Sequence, residues 1–191
     1  YIWYNSKKNH KWREFYEQVQ EKANIDIYAR MAYIDTMTGL GNRTAFLEEN
    51  KSNAIFPGMI SYIMMDANNL KTINDTLGHN KGDELIITIA KCMRKAVGHN
   101  GQCYRIGGDE FVIILKNKTA AETEEIINKV RCEIEFADKQ SDITISVAIG
   151  YVWTDTEQKN LEDLMQHADD EMYQDKKKTK ENKSKENTHS I

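Results

Sequence analysis

The sequence predicts an α+β fold, a mostly antiparallel central sheet covered by helices in a sandwich of the split βαβ kind. Three observations carry that prediction. Residues 58–65 (GMISYIMM) are almost wholly apolar, as a strand buried on both faces must be. Two further apolar runs, Cys103-Tyr104 and Phe111 to Leu115, flank Gly107-Gly108 and read as a tight hairpin whose primed turn uses the positive φ that glycine tolerates. Segments of helical period lie before, between and after these strands.

Residues 1–33 hold neither Gly nor Pro, and Trp12, Phe15, Val19, Ala23, Ile27, Met31 and Ile34 follow at steps of three or four. That is one long amphipathic helix with a narrow apolar stripe, suited to packing on its own domain or to pairing with the same helix of another chain. As a unit it reads as a signalling or linker helix that carries a signal from an upstream sensor domain not included in these residues. A domain over 34–178 follows. Its opening motif, Asp35-Thr36-Met37-Thr38-Gly39-Leu40-Gly41-Asn42-Arg43, is dense enough in Asp, Thr and Gly to be a structured turn. A short helix over Thr44 to Asn50 and a loop at 51–58 with the only proline, Pro57, lead into the first strand.

That strand ends at Asp66, and strand ends are rigid and open on clefts. A short helix over Leu70 to Thr76 and a loop at Gly78 to Gly82 then leave Asn74, His79 and Asp83 facing one cleft. The next helix starts at Asp83, acidic residues suiting its positive end, with Leu85, Ile86, Ala90, Met93 and Val97 inward. After the hairpin, 117–137 is helical on a stripe of Ile126, Ile127, Val130 and Ile134. Ile143, Ile145, Val147 and Ile149 alternate as a strand extended by Tyr151 to Trp153. Leu161, Leu164, Met165, Ala168 and Met172 mark the final helix. The lysine-rich 179–191 lacks a core stripe and reads as a disordered tail.

Composition excludes several classes. At 191 residues and 40% hydrophobic the chain can bury one ordinary core, and a net charge of −4 offers no basic field for nucleic acid. The three cysteines, Cys92, Cys103 and Cys132, are too scattered for a zinc site or a disulfide framework and read as thiols in a reducing compartment. No run of about 18 apolar residues spans a bilayer. Tyr1-Ile2-Trp3-Tyr4 followed by Lys7 and Lys8 fits equally the start of an amphipathic helix or the cytoplasmic end of a preceding membrane helix. The second would anchor the full-length protein in the inner (cell) membrane and keep this domain cytoplasmic. Neither G-x-G-x-x-G nor G-x-x-x-x-G-K-[ST] occurs, so no dinucleotide fold or P-loop is indicated.

The chemistry lies in the acidic groups. An Asp109-Glu110 pair entering a buried strand costs desolvation energy unless a cation or hydrogen-bonding ligand meets it. Placed beside Asp66, these make three carboxylates converging at one sheet edge. Hard oxygen ligands without His or Cys select Mg²⁺ or Mn²⁺, with the Ala67 carbonyl as a further donor. Lys71, Lys176 and Lys180 are candidate cations for metal-bridged phosphates, and the amides of Asn69 and Leu70 open a helix that can bind phosphate. Asn74 and Asp83 can read a base, since a carboxylate accepts from the two adjacent N–H donors that guanine offers and adenine does not.

Gly107 to Phe111 (GGDEF) resembles the signature of the GGDEF family of diguanylate cyclases. The opening motif at 35–43 is similar to that family's DxLTGLxNR. Asp66 with 71–75 (KTIND), Gly78-His79 and Gly82-Asp83 resembles its D…KxxND…GH…GD block, and Ala168-Asp169, Tyr173 and Lys176 resemble its closing helix. The resemblance implies the nucleotidyl cyclase, palm-like version of this fold and a synthase condensing two GTP into cyclic di-GMP with release of pyrophosphate. Each domain of a homodimer would hold one GTP. Carried over, Asp66, Ala67, Asp109 and Glu110 bind metal, and Asp109 is also the base for the 3′-hydroxyl, assisted by Glu110. Asn74 and Asp83 hold guanine with His79 nearby, while Asn69, Leu70, Lys71, Lys176 and Lys180 meet phosphates. A binding module for GTP or cyclic di-GMP without turnover is the alternative, disfavoured by the intact Asp66 and Gly107 to Phe111. A related enzyme joining other nucleotides is a third reading, against which Asp83 favours guanine. The chain departs from the family pattern at Gly98 and Gly101, where an Arg-x-x-Asp inhibitory site is common, so no product inhibition through that site is expected. It departs also at Asn68, Leu70 and Thr179.

Overall fold

A computed structural model of the chain describes residues 18–22, 27–28, 30–53, 58–155 and 161–188. In order come α1 (Arg43–Asn53), β1 (Ile60–Ala67), α2 (Leu70–Leu77), α3 (His79–Val97), β2 (Gly101–Arg105), β3 (Glu110–Lys116), α4 (Ala120–Asp138), β4 (Val147–Thr154) and α5 (Leu161–Thr188). The strands form one sheet in the order β2-β3-β1-β4, every neighbouring pair antiparallel. This is the α+β sandwich that the apolar patterning predicts.

Alternation along the strands divides the core into two layers. Ile63, Met65, Phe111, Ile113, Leu115, Val147 and Ile149 face α3 and α4, meeting Leu85, Ile89 and Met93 from one and Ile126, Val130 and Ile134 from the other. Ile60, Tyr62, Met64, Val112, Ile114 and Ala148 face the opposite way, against Phe46 of α1 and Ala168 and Met172 of α5. All eight residues of β1 are consequently buried, which is why its sequence is apolar throughout instead of alternating.

Several boundaries differ from the sequence expectation. A single residue, Gly78 at φ 88°, separates α2 from α3, so α3 begins at His79 and not at Asp83. Gly78 turns the chain by itself in a conformation glycine adopts freely, and no longer loop is needed. Helix α4 starts at Ala120 because Thr119 and Glu122 form a reciprocal capping box. Ile143 and Ile145 are buried, but regular pairing begins only at Val147. The backbone of α5 runs to Thr188, into the segment expected to be disordered; residues 179–188 contain no Gly or Pro to break a helix.

Much of the proposed N-terminal helix lies outside the described residues. Within it 18–22 and 30–33 are helical, and the stripe residues Val19, Ile27 and Met31 are 50, 54 and 69% exposed. No helix among the described residues is long and apolar enough to cross a membrane.

Helix α5 crosses the sheet at Gly150, where a β-carbon would overlap the backbone of Ala168, Glu171 and Met172. Backbone cannot step aside as a flexible side chain can. Gly150→Ala is therefore expected to destabilise the domain by about 1–3 kcal/mol through overpacking. The loss reads as a lower urea midpoint at unchanged slope. Gly108→Ala, whose β-carbon would enter open space, serves as the control with a nearly unchanged midpoint.

Candidate functional site

The two central strands end together. Asp66 and Glu110 are direct partners across β1 and β3, and beyond them the Ala67 N–H donates to the Asp109 carbonyl at 2.9 Å. By the alternation of β1, Asp66 shares the face of Tyr62 and Met64, which α5 covers. At 8% exposure it is nearly buried, and Lys176 of α5 donates to its Oδ1 at 2.6 Å. Like charges directly opposite on a sheet repel and a buried carboxylate needs a partner, so the cation from α5 has a clear electrostatic purpose.

Only part of the expected carboxylate cluster is assembled. Among the described residues no three acid, imidazole or thiol side chains are set together to hold a metal ion. Asp66 and Glu110 share one end of two central strands, not a sheet edge, whereas Asp109 lies in the connecting turn and meets β1 through its backbone carbonyl. Two carboxylates suit Mg²⁺, which commonly takes one or two of them alongside phosphate oxygens.

The hairpin is also built differently from the primed turn expected. Residues 106–109 connect β2 to β3, and neither Gly107 nor Gly108 has positive φ. The Glu110 carboxylate lies against Gly107, where a β-carbon would displace it from the turn. The turn is held by a residue to which sequence reasoning gave no role. Arg105 donates through Nη2 to the Gly108 carbonyl at 2.8 Å, and its Nη1 is 3.4 Å from Asp35 Oδ2 in the opening motif. Asp35 in turn accepts from the Thr38 amide at 2.9 Å and hydroxyl at 2.6 Å. Partial burial works to raise the Asp35 pKa, but the Thr38 bonds and the Arg105 charge together outweigh it and hold the carboxyl below its usual range. Arg94 of α3 closes the motif by donating to the Thr38 carbonyl at 2.7 Å. The available signal was the position of Arg105 two residues before the glycines.

At the other end of the site, Asn69 adopts φ 64° and caps α2 with its backbone but with no side-chain bond, leaving first-turn N–H groups available for an anion. The preceding Asn68 is buried and pins the turn to Ser146, its amide nitrogen donating to Oγ and its backbone N–H to the carbonyl, both at 2.9 Å. Lys71 is exposed one residue into the helix. Asn74 is half-buried, with its amide packed on Gly82, so that it borders Asp83 on α3. His79 and Asp83, both exposed and one turn apart, share a face of α3. Lys180 falls within α5, but its side chain lies outside the described residues. Gly98, at φ 54°, ends α3 on the far side of the molecule, and a β-carbon at Gly101 would overlap Leu115 and Ile114 of β3. Neither position presents charge.

The family model described as diguanylate cyclase, GGDEF domain, matches residues 32–182. Signaling protein YkoW of Bacillus subtilis is 34% identical over 170 residues, covering 84% of this chain and 21% of that protein. Diguanylate cyclase DgcN of Escherichia coli is 33% identical over 154 residues, covering 77% of this chain and 38% of the relative. The chain thus spans well under half the length of these curated relatives. The coiled coil and GGDEF domain of DgcB from Caulobacter crescentus, solved in complex with c-di-GMP, superposes with a TM-score of 0.75 at 22% identity, covering 86% of this chain and 91% of that one. At that identity the likeness speaks for the fold.

The Asp35–Thr38–Arg105 cluster makes a pH-dependent prediction. Removing the charge by Asp35→Asn should cost about 1–3 kcal/mol at pH 7. Because the folded pKa lies below the unfolded value of about 3.9, the stabilisation is complete above that value and is lost as pH falls through the folded one. Denaturant titrations of both proteins should therefore show the gap narrowing below about pH 4. A gap independent of pH contradicts the assignment.

Proposed function

The chain belongs to the diguanylate cyclase, GGDEF domain family, and on that premise we propose that it condenses two molecules of GTP into cyclic di-GMP across a pair of identical domains. The observation that carries the proposal is the cross-strand pairing of Asp66 with Glu110 beneath Lys176, next to the uncapped start of α2. Acids, cation and open amides at one strand end are what a triphosphate with its counterion requires.

Asp66 and Glu110, with the Ala67 carbonyl, would hold Mg²⁺ or Mn²⁺, which when bound neutralises phosphate charge and makes a neighbouring hydroxyl more acidic. The amides of Asn69 and Leu70 and the ammonium groups of Lys71 and Lys176 bind phosphate oxygens, with Lys180 as a further candidate. Asn74 and Asp83 take the guanine edge, and His79 stands beside them on the substrate. The 3′-hydroxyl of one GTP attacks the α-phosphorus of the other. A P–O bond forms, the α–β bridge breaks, pyrophosphate leaves, and the proton passes to Asp109 with Glu110 assisting. Repeating the step with the roles exchanged closes the ring. The protein contributes positioning and charge.

One domain supplies one nucleotide, so turnover needs a second copy in C2 relation. The stripe of Val19, Ile27 and Met31 supports pairing through the N-terminal helix, because each of those apolar side chains is half or more exposed. An upstream sensor would act through that helix.

Incubation of a dimer enforced by a fused coiled coil with GTP and Mg²⁺ should yield cyclic di-GMP and pyrophosphate. Asp66→Asn, Asp109→Ala and Glu110→Gln should each cut the rate by at least about 100-fold, the scale of losing one charge-stabilising group. A wild-type dimer that binds GTP yet forms no product would replace the enzyme reading with that of a nucleotide-binding module.

A further inference from the structure

Lys176 reaches Asp66 only if α5 is held at one setting along the sheet, and a contact with no part in the proposed chemistry provides that setting. Strand β4 is an edge strand, so alternate N–H groups along its outer side have no strand partner. The Ile149 N–H donates instead to Asp175 Oδ2 of α5 at 2.9 Å. The same oxygen is 3.5 Å from Arg131 Nη2 of α4. One carboxylate therefore ties together the sheet edge and the helices on its two faces. Three residues earlier, the backbone of α5 at Met172 rests directly on Gly150. The helix is seated on β4 at one turn and hydrogen-bonded to it at the next.

We propose that Asp175 is a positioning residue that acts through Lys176. Successive residues on a helix point about 100° apart. With Asp175 anchored on the outer edge of β4, the next side chain is directed across the strand toward β1, where Lys176 meets Asp66 at 2.6 Å. Freed of that anchor, α5 can rotate or slide about its seat at Gly150, and Lys176 leaves both Asp66 and the phosphate site. The part concerning Asp66 is a property of the nucleotide-free protein. The part concerning phosphate rests on the proposed function.

Two measurements test the two parts separately. In nucleotide-free protein, acetylation of individual lysines by an amine-reactive ester is followed by mass spectrometry, with folding checked by circular dichroism. Lys176 should react slowly in the wild type. Asp175→Ala should raise its rate about tenfold, the equilibrium weight of one lost charge-assisted hydrogen bond, with exposed Lys91 of α3 unchanged. Asp175→Asn keeps an acceptor for the Ile149 N–H and should restore most of the protection. If Asp175→Ala does not fold, Arg131→Gln, which removes only the outer partner, should raise the rate in the same direction by about twofold. A folded variant with unchanged Lys176 reactivity overturns the proposal. In the second measurement, binding of a non-hydrolysable GTP analogue is compared for Asp175→Ala, Lys176→Ala and the double variant. The double variant should bind no more weakly than Lys176→Ala alone. Equal losses with and without Lys176 show that Asp175 acts by another route and overturn the proposal. If the wild type does not bind the analogue while the labelling result holds, the assigned substrate fails and the positioning role stands.

Discussion

Two carboxylates facing each other across adjacent strands of a buried sheet form the constraint around which this domain is arranged. Asp66 and Glu110 are direct register partners at the end of β1 and β3, and like charges placed so repel. The surroundings offset it in separate ways. Glu110 leans back over Gly107, into space that the missing β-carbon leaves open. Asp66 receives Lys176 from the helix that crosses its face. An arrangement that costs energy when empty and lowers it when cations enter is well suited to a site whose proposed ligand brings both metal and phosphate.

The elements that hold the acid pair also connect it to distant parts of the chain. Arg105 joins the glycine turn to Asp35, directly after the helical residues 30–33. One ion pair therefore joins the glycine turn to the motif that follows residues 30–33. On the opposite flank Asp175 fixes α5 to the sheet edge and so governs where Lys176 points. The hairpin and α5 approach the same pair of acids from two sides. Both are held by guanidinium–carboxylate contacts, whose directional geometry suits alignment as well as binding.

What the sequence made legible follows from which forces act locally. The apolar continuity of β1 and the helical stripes of α3 and α4 are written in residue periodicity, and the layers and sheet follow from them. Asp66, Glu110, Asn74 and Asp83 were visible as polar residues where the pattern calls for strand or helix ends. Features set by tertiary contact were not visible. The primed turn was inferred from Gly107-Gly108, yet neither glycine has positive φ, and the Glu110 carboxylate lies against Gly107. The start of α3 depends on one glycine dihedral, and that of α4 on a reciprocal cap. Arg105 and Asp175 look like ordinary surface charges until the fold brings Gly108, Asp35, Ile149 and Arg131 beside them.

If Asp66 and Glu110 together form a cation site serving a guanine nucleotide, cation and nucleotide must tighten each other's binding. Binding of Mn²⁺, followed by electron paramagnetic resonance with and without a non-hydrolysable GTP analogue, tests it most directly. Weak binding is expected to the protein alone, where Lys176 already occupies Asp66, and binding tightened at least about tenfold by the analogue, with Asp66→Asn and Glu110→Gln each abolishing the gain. Mn²⁺ binding that the analogue leaves unchanged, or that survives both substitutions, would contradict it.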